Sequence, residues 1–205
     1  IMTKDRFRKT EKERRNEFKD AARNLFALKG FENVTTKEIA EEAGLSRSLI
    51  YRYGSSKAEI LEELSRDMIK GHARALEEMA PPKGSPADRV MAYLVQMFER
   101  DLAQYELRRL AVQHSWTWSA KSEQEFFILV GIILNPISKS LREVNIEWNL
   151  DDRVAIWAIY TEGLRQVMNR YSDGLEEPSK KAITEMLGAF DQVVRPQISR
   201  LLSCD

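Results

Sequence analysis

Residues 34–57, VTTKEIAEEAGLSRSLIYRYGSSK, confine the fold more than any other stretch of this chain. They predict two short helices with a tight turn between them. Thr35 followed three residues later by Glu38 is a capping box, in which hydroxyl and carboxylate each satisfy a backbone N–H that a helix start leaves orphaned. Ile39, Ala40 and Ala43 then share one face. Gly44 stands where this helix must stop, because a residue without Cβ accepts the left-handed backbone of a C-terminal cap. Leu45 supplies an apolar contact just past the glycine, and Ser46 caps the second helix. That helix sets Arg47, Ser48, Tyr51, Arg52 and Tyr53 around an apolar anchor, Ile50. Helix, glycine turn, then a helix bearing basic and hydroxylated side chains is the arrangement that reads the DNA major groove.

The same residues carry a family resemblance. Residues 18–61 resemble the N-terminal domain of TetR-type one-component transcriptional regulators, with LFALKGF, IAEEAG, LIYRY and SK at the family's spacing. The resemblance implies base or phosphate contacts by Arg47, Ser48 and Tyr51, with Tyr53 and Lys57 reaching phosphates. Residue chemistry is compatible with those roles. Arg47 can fork onto guanine and Leu49 can touch a thymine methyl, whereas Tyr and Lys suit backbone oxygens, which position a protein without reading sequence. Thr35, Thr36, Ser46 and Arg52 complete the candidate interface. One position departs from the family: Gly54 stands where a bulky aromatic is usual, which is expected to loosen the joint between the reading helix and the next.

Charge distribution points the same way, modestly. Residues 1–57 hold 14 Lys and Arg against 9 Asp and Glu, and the other 148 residues hold 18 against 23, so a net charge of +5 precedes a body of −5. A basic front on an acidic body is expected where only one end meets phosphates. Residues 1–10 contain Lys4, Arg6, Arg8 and Lys9 with too little apolar content to pack, and read as a flexible basic arm. The longest apolar run, residues 126–134, is too short to cross a bilayer, and no membrane is expected among the partners. The start shows no secretory pattern, and the single cysteine, Cys204, has no internal disulfide partner. A cytoplasmic protein is expected.

The rest of the chain reads as helices throughout. A helix over residues 11–29 carries Phe18, Ala21, Ala22, Leu25, Phe26 and Leu28 as a core stripe, ends at Gly30, and lets Phe31 fold back. A long helix from residue 57 ends at the breaker run APPKGSP, residues 80–86. Further helices are expected over 87–104, 105–116, 122–145, 151–171 and 179–202. In the third of these spans the run 126–134 is apolar all round and is expected to be central, with Pro136 kinking its helix. The fold class is therefore all-α, about nine helices. An N-terminal three-helix helix-turn-helix domain at 1–57 is followed by a larger helical effector-binding and dimerisation domain at 58–205.

That body is dense in aromatics, which singly are ordinary core but together suit an apolar pocket with a few polar groups. The resemblance implies a ligand cavity there, with Met97, Trp116, Phe127, Trp157 and Tyr160 as candidate lining for a small apolar or aromatic effector. The last two helices carry apolar stripes, and in the resembled family they pair with a twofold copy as a four-helix bundle. Leu164, Val167, Phe190 and Val194 are the candidate contacts of such a homodimer, which would set two recognition helices roughly 34–36 Å apart on a palindromic operator of double-stranded DNA. Nothing points to catalysis, a metal or a cofactor. His72 and His114 are the only histidines, no His/Cys/carboxylate cluster has ligand spacing, and neither a nucleophile elbow nor a phosphate-cradling glycine loop is present. The expected function is a ligand-responsive DNA-binding regulator, a repressor by preference. The rival is a helical small-molecule-binding or scaffolding protein without sequence-specific DNA binding.

Overall fold

A computed structural model describes residues 10–45, 56–114, 120–171 and 178–203. Among these residues every regular element is helical. The chain divides into two compact units, Ile1–Leu64 and Ser65–Asp205.

In the first unit, α1 (Glu11–Lys29) opens on a capping box. Thr10 accepts from the Glu13 backbone N–H, and its own N–H donates to the Glu13 carboxylate. Gly30 ends the helix at φ +79°, giving its N–H to the Phe26 carbonyl. Phe31, in the short 3-10 turn Phe31–Asn33, brings its ring to 5.1 Å from that of Phe26, the expected fold-back. Helix α2 (Thr36–Glu42) begins at the expected Thr35–Glu38 capping box. It ends in a paired cap: Gly44 at φ +64° donates to the Glu41 carbonyl, and Leu45 donates to that of Ala40. The first turns of α3 (Lys57–Glu78) complete this unit's core with Ile60, Leu61 and Leu64, beside Phe18, Phe26 and Ile39. A bidentate pair from Arg15 to Glu63, at 2.8 and 2.9 Å, fastens α1 to α3.

The second unit takes the rest of α3 and five more helices: α4 (Pro86–Leu102), α5 (Tyr105–His114), α6 (Ala120–Arg142), α7 (Leu150–Tyr171) and α8 (Lys180–Leu201). Ser85 caps α4 reciprocally with Asp88, and Pro86 occupies the first turn, where its missing N–H costs nothing. Helix α8 packs on α7 and on α4, while α4 also meets α5 and α6. At their junction the Phe98 and Phe190 rings stack at 4.4 Å, with Tyr160 edge-on to Phe190 at 5.7 Å. Helices α7 and α8 approach so closely that a Cβ on Gly163 would lie 2.4 Å from Val194 Cγ2. Gly163→Ala should therefore overpack this contact and cost about 1–3 kcal/mol, despite alanine's better helix propensity. Urea denaturation of the full chain measures it, and a more stable alanine variant would show that the helices separate freely.

Three expectations change here. Leu28, expected in the core stripe of α1, is 77% exposed, because it falls on the side of the helix away from Phe26. The run 126–134 is not central all round: Val130, Ile133 and Leu134 are buried, but Phe127, Ile128 and Ile132 are 60%, 61% and 48% exposed. One face of α6 is covered, and the other is left largely exposed. Helix α6 also continues through Pro136, as α8 does through Pro196, each forgoing one backbone hydrogen bond. Of the nine expected helices, the recognition helix and Gly54 fall at residues 46–55, outside the described residues. No helix among the described residues is long and apolar enough to cross a membrane.

Candidate functional site

The first unit presents the frame of a helix-turn-helix. Thr35 is exposed at the start of α2 and Thr36 is half-buried behind it. The Thr35 hydroxyl is already engaged with Glu38, as acceptor from its backbone N–H at 3.2 Å and as donor to its carboxylate at 2.9 Å. Lys29 reaches the same carboxylate at 3.0 Å and ties the last turn of α1 to the first of α2. The Lys29 ammonium, followed by the Thr35 N–H and hydroxyl, holds the Glu38 carboxyl down to about 2. The cap is therefore ionised and intact at any physiological pH. Ser46, Arg47, Ser48, Leu49, Tyr51, Arg52 and Tyr53 lie outside the described residues.

Lys57 has a different role from the one expected. Its ammonium donates to the carbonyls of Phe31 at 2.8 Å and Glu32 at 3.1 Å, and sits 4.8 Å from the centre of the Phe31 ring. It thus clamps the start of α3 onto the 3-10 turn, with two of its three protons committed. A carbonyl pair 25 and 26 residues upstream is invisible to local sequence pattern. Lys57→Met is expected to lower stability by about 1–2 kcal/mol through the lost hydrogen bonds and cation–π contact. An unchanged denaturation curve with weakened DNA binding would return this lysine to the phosphate backbone.

In the second unit a cleft of about 300 Å³ opens between α5, α6 and α7. Ala111, Val112, Phe126 and Trp157 form its apolar walls, and Arg108, Thr161, Glu162 and Arg165 its polar ones. Phe126 stands edge-on to Trp157 at 5.6 Å. Of the four expected lining residues that are described, only Trp157 is on this wall. Met97 is wholly buried in the core, Tyr160 is buried behind Trp157, Phe127 points to solvent, and Trp116 lies outside the described residues. Phe127 and Tyr160 share helices with the walls of this cleft but stand on other faces, and Met97 is on a helix that does not line it.

Behind the cleft is a buried polar junction that sequence reading missed. Asp101 on α4 accepts from Tyr160 Oη at 2.5 Å and meets His72 Nε2 of α3 at 2.6 Å. Arg108 Nε of α5 lies 3.2 Å from Asp101 Oδ2, with its N–H directed off that line, so the contact is ionic rather than a hydrogen bond. All four side chains are buried. Burial by itself would raise the Asp101 carboxyl, but the Arg108 charge, then His72 and the Tyr160 hydroxyl, outweigh it and hold the group below its ordinary value. Tyr160 moves the other way, raised well above the usual phenol range by burial and then by the Asp101 charge. The signal for this junction was present: Asp101 continues the stripe of Leu94, Met97 and Phe98, where an unpartnered carboxylate would be very costly.

Residues 19–64 match the family model described as bacterial regulatory proteins, tetR family. The chain is 34% identical over 92 residues to the HTH-type transcriptional regulator YfiR of Bacillus subtilis, a stretch covering 44% of each protein. It is 27% identical over 86 residues to the HTH-type transcriptional repressor KstR2 of Mycolicibacterium smegmatis, covering 42% of each. The N-terminal part of the chain is thus similar to that of tetR-family regulators.

These matches span less than half the length of either curated relative, so they speak for the TetR-type N-terminal domain. The likeness of the whole chain is one of fold. The structure of FadR from B. subtilis, solved in complex with stearoyl-CoA, superimposes with a TM-score of 0.62 at 19% identity, covering 87% of this chain and 97% of that one. Within the second unit, the four residues expected at a dimer contact take other positions. Leu164, Val167, Phe190 and Val194 are all buried inside the single chain, where α7 and α8 pack on each other and on α4. A second copy has no access to them. Each stripe is real, but it is spent on the chain's own core.

Proposed function

We propose that this chain is a ligand-responsive DNA-binding regulator, a repressor that leaves a palindromic operator when a small effector enters the cleft beside Trp157. The coincidence of the tetR-family match at 19–64 with the capped, glycine-terminated α2 carries this reading. Relatives bearing the names of regulators, KstR2 a repressor among them, support regulation over catalysis. FadR with stearoyl-CoA supports a ligand in the helical body at the level of fold alone. The functional division falls near residue 57, with the reader before it and the effector-binding, dimerising body after it. A homodimer would use the outward faces of α7 and α8, and Phe127, Ile128 and Ile132 on α6 add apolar surface that one chain leaves bare. Such a protein acts in the cytoplasm, where its DNA is.

The test begins with selection of bound duplexes from a random pool. The expected outcome is a twofold-symmetric site whose binding weakens steeply with salt. Arg47→Ala should cost about 1–3 kcal/mol and relax preference at one base position per half-site. Selection without enrichment would favour the helical binding or scaffolding protein instead. Undiminished preference in Arg47→Ala would remove the reading role given to this arginine.

A further inference from the structure

We infer that the cleft takes a small organic carboxylate with an aromatic or short aliphatic body, and that the Arg108 guanidinium holds its charged end. This rests on the cleft being the effector site, and adds the chemistry of its ligand. Arg108 is only 5% exposed, yet it lines the cleft. Its inner edge faces Asp101, which His72 and Tyr160 hold from two other helices. Asp101 is thus the positioning residue that aims the guanidinium. Neither terminal nitrogen of Arg108 donates a hydrogen bond to any described residue. Those nitrogens form the outer edge of a planar fork, which matches the two oxygens of a carboxylate.

The other polar groups on the wall are largely engaged, with only Arg165 Nη1 left over on a side chain that is half exposed at the rim. Glu162 is held by Arg165 in a two-bonded pair at 2.9 and 2.6 Å, and this pairing keeps its carboxyl down to about 2. The Thr161 hydroxyl donates to the Trp157 carbonyl at 3.0 Å. The ends of Arg108 are therefore the buried donors left for a ligand. Phe126 and Trp157, crossed edge to face, offer a flat apolar slot beside them. A volume of about 300 Å³ is at the lower end for ligand sites and suits a small body. A carboxylate is preferred over a phosphate because a single charge is less costly to bring out of water.

Calorimetric titration of the full chain with benzoate, phenylacetate, hexanoate, phenyl phosphate and the neutral isostere phenylacetamide tests this. At least one carboxylate should bind saturably with Kd at or below about 1 mM. Phenylacetamide should bind at least about ten-fold more weakly than phenylacetate. Arg108→Lys, which keeps a charge beside Asp101 and so protects the fold, should weaken the carboxylate about ten-fold while leaving the amide unchanged. Arg165→Gln should change affinity less than about three-fold. Should Arg108→Lys unfold, the comparison of acid and amide on the native chain still decides. Phenyl phosphate binding more tightly than every carboxylate overturns the carboxylate assignment. Acid and amide binding equally, both lost in Trp157→Ala, overturns the anion preference but leaves the cleft as a ligand site. No saturable binding by any probe overturns the inference, while the operator experiment still judges the regulator reading separately.

Discussion

Asp101→Ala is expected to cost the second unit about 3–5 kcal/mol, because it removes the one anion from a junction built around it. Arg108 would be left as a buried cation without its counter-charge, and the Tyr160 hydroxyl and His72 Nε2 would each lose a partner. Leaving buried groups unpaired costs more than the contacts themselves contribute. A cycle separates these effects. Asp101→Leu combined with Arg108→Met removes both charges, and should cost at least about 1 kcal/mol less than the two single losses together. Strict additivity in urea denaturation would mean that the two groups do not sense each other. The same junction predicts acid sensitivity. The Asp101 carboxyl lies below its ordinary value in the folded chain, so its contribution is complete above the unfolded value of about 3.9 and is lost as pH falls through the folded one. Asp101→Asn should flatten that acid limb. An unchanged limb would assign it to exposed carboxylates such as Glu38.

What could be read in advance divides by range. Helix boundaries are local. Thr35 and Glu38 are three residues apart, Gly30 and Gly44 stand next to the turns they close, and Pro81, Pro82 and Pro86 bracket a break between α3 and α4, so each end was legible. The all-α class follows from periodicity, which is also local. Partners are not. Lys57 meets carbonyls 25 and 26 residues away, and Asp101 meets groups 29 and 59 residues away. A stripe such as Leu164 and Val167 reveals that a face is covered, but carries no address for what covers it. The aromatics show the same limit. Trp157 and Phe127 are equally apolar in sequence, yet α6 turns one side of its run to the core and the other to solvent, which only packing decides. The cleft's polar wall was hidden for a related reason. Arg108 and Thr161 sit on helices whose apolar residues dominate the pattern, and their convergence belongs to tertiary structure.

Phe190 distinguishes a core from an interface most sharply. It is fully buried, stacked on Phe98 at 4.4 Å and met edge-on by Tyr160 at 5.7 Å, all within one chain. Phe190→Ala should cost about 3–5 kcal/mol through lost transfer energy and the cavity left behind. Phe190→Asp adds an unpaired carboxylate to the same space and should abolish cooperative folding of the second unit rather than release a folded monomer. Gly188 is the matching control, two residues earlier on the exposed face of α8, where an added Cβ meets nothing within 4 Å. Gly188→Arg should leave stability unchanged or slightly raised, since arginine is the better helix former by just under about 1 kcal/mol. If the outward face of α8 pairs with a second copy, Gly188→Arg puts a long cation into that pairing, and sedimentation should report a folded monomer. A folded, monomeric Phe190→Asp would move the interface back onto the inner stripe. A fully dimeric Gly188→Arg would move it off α8, toward the bare apolar face of α6.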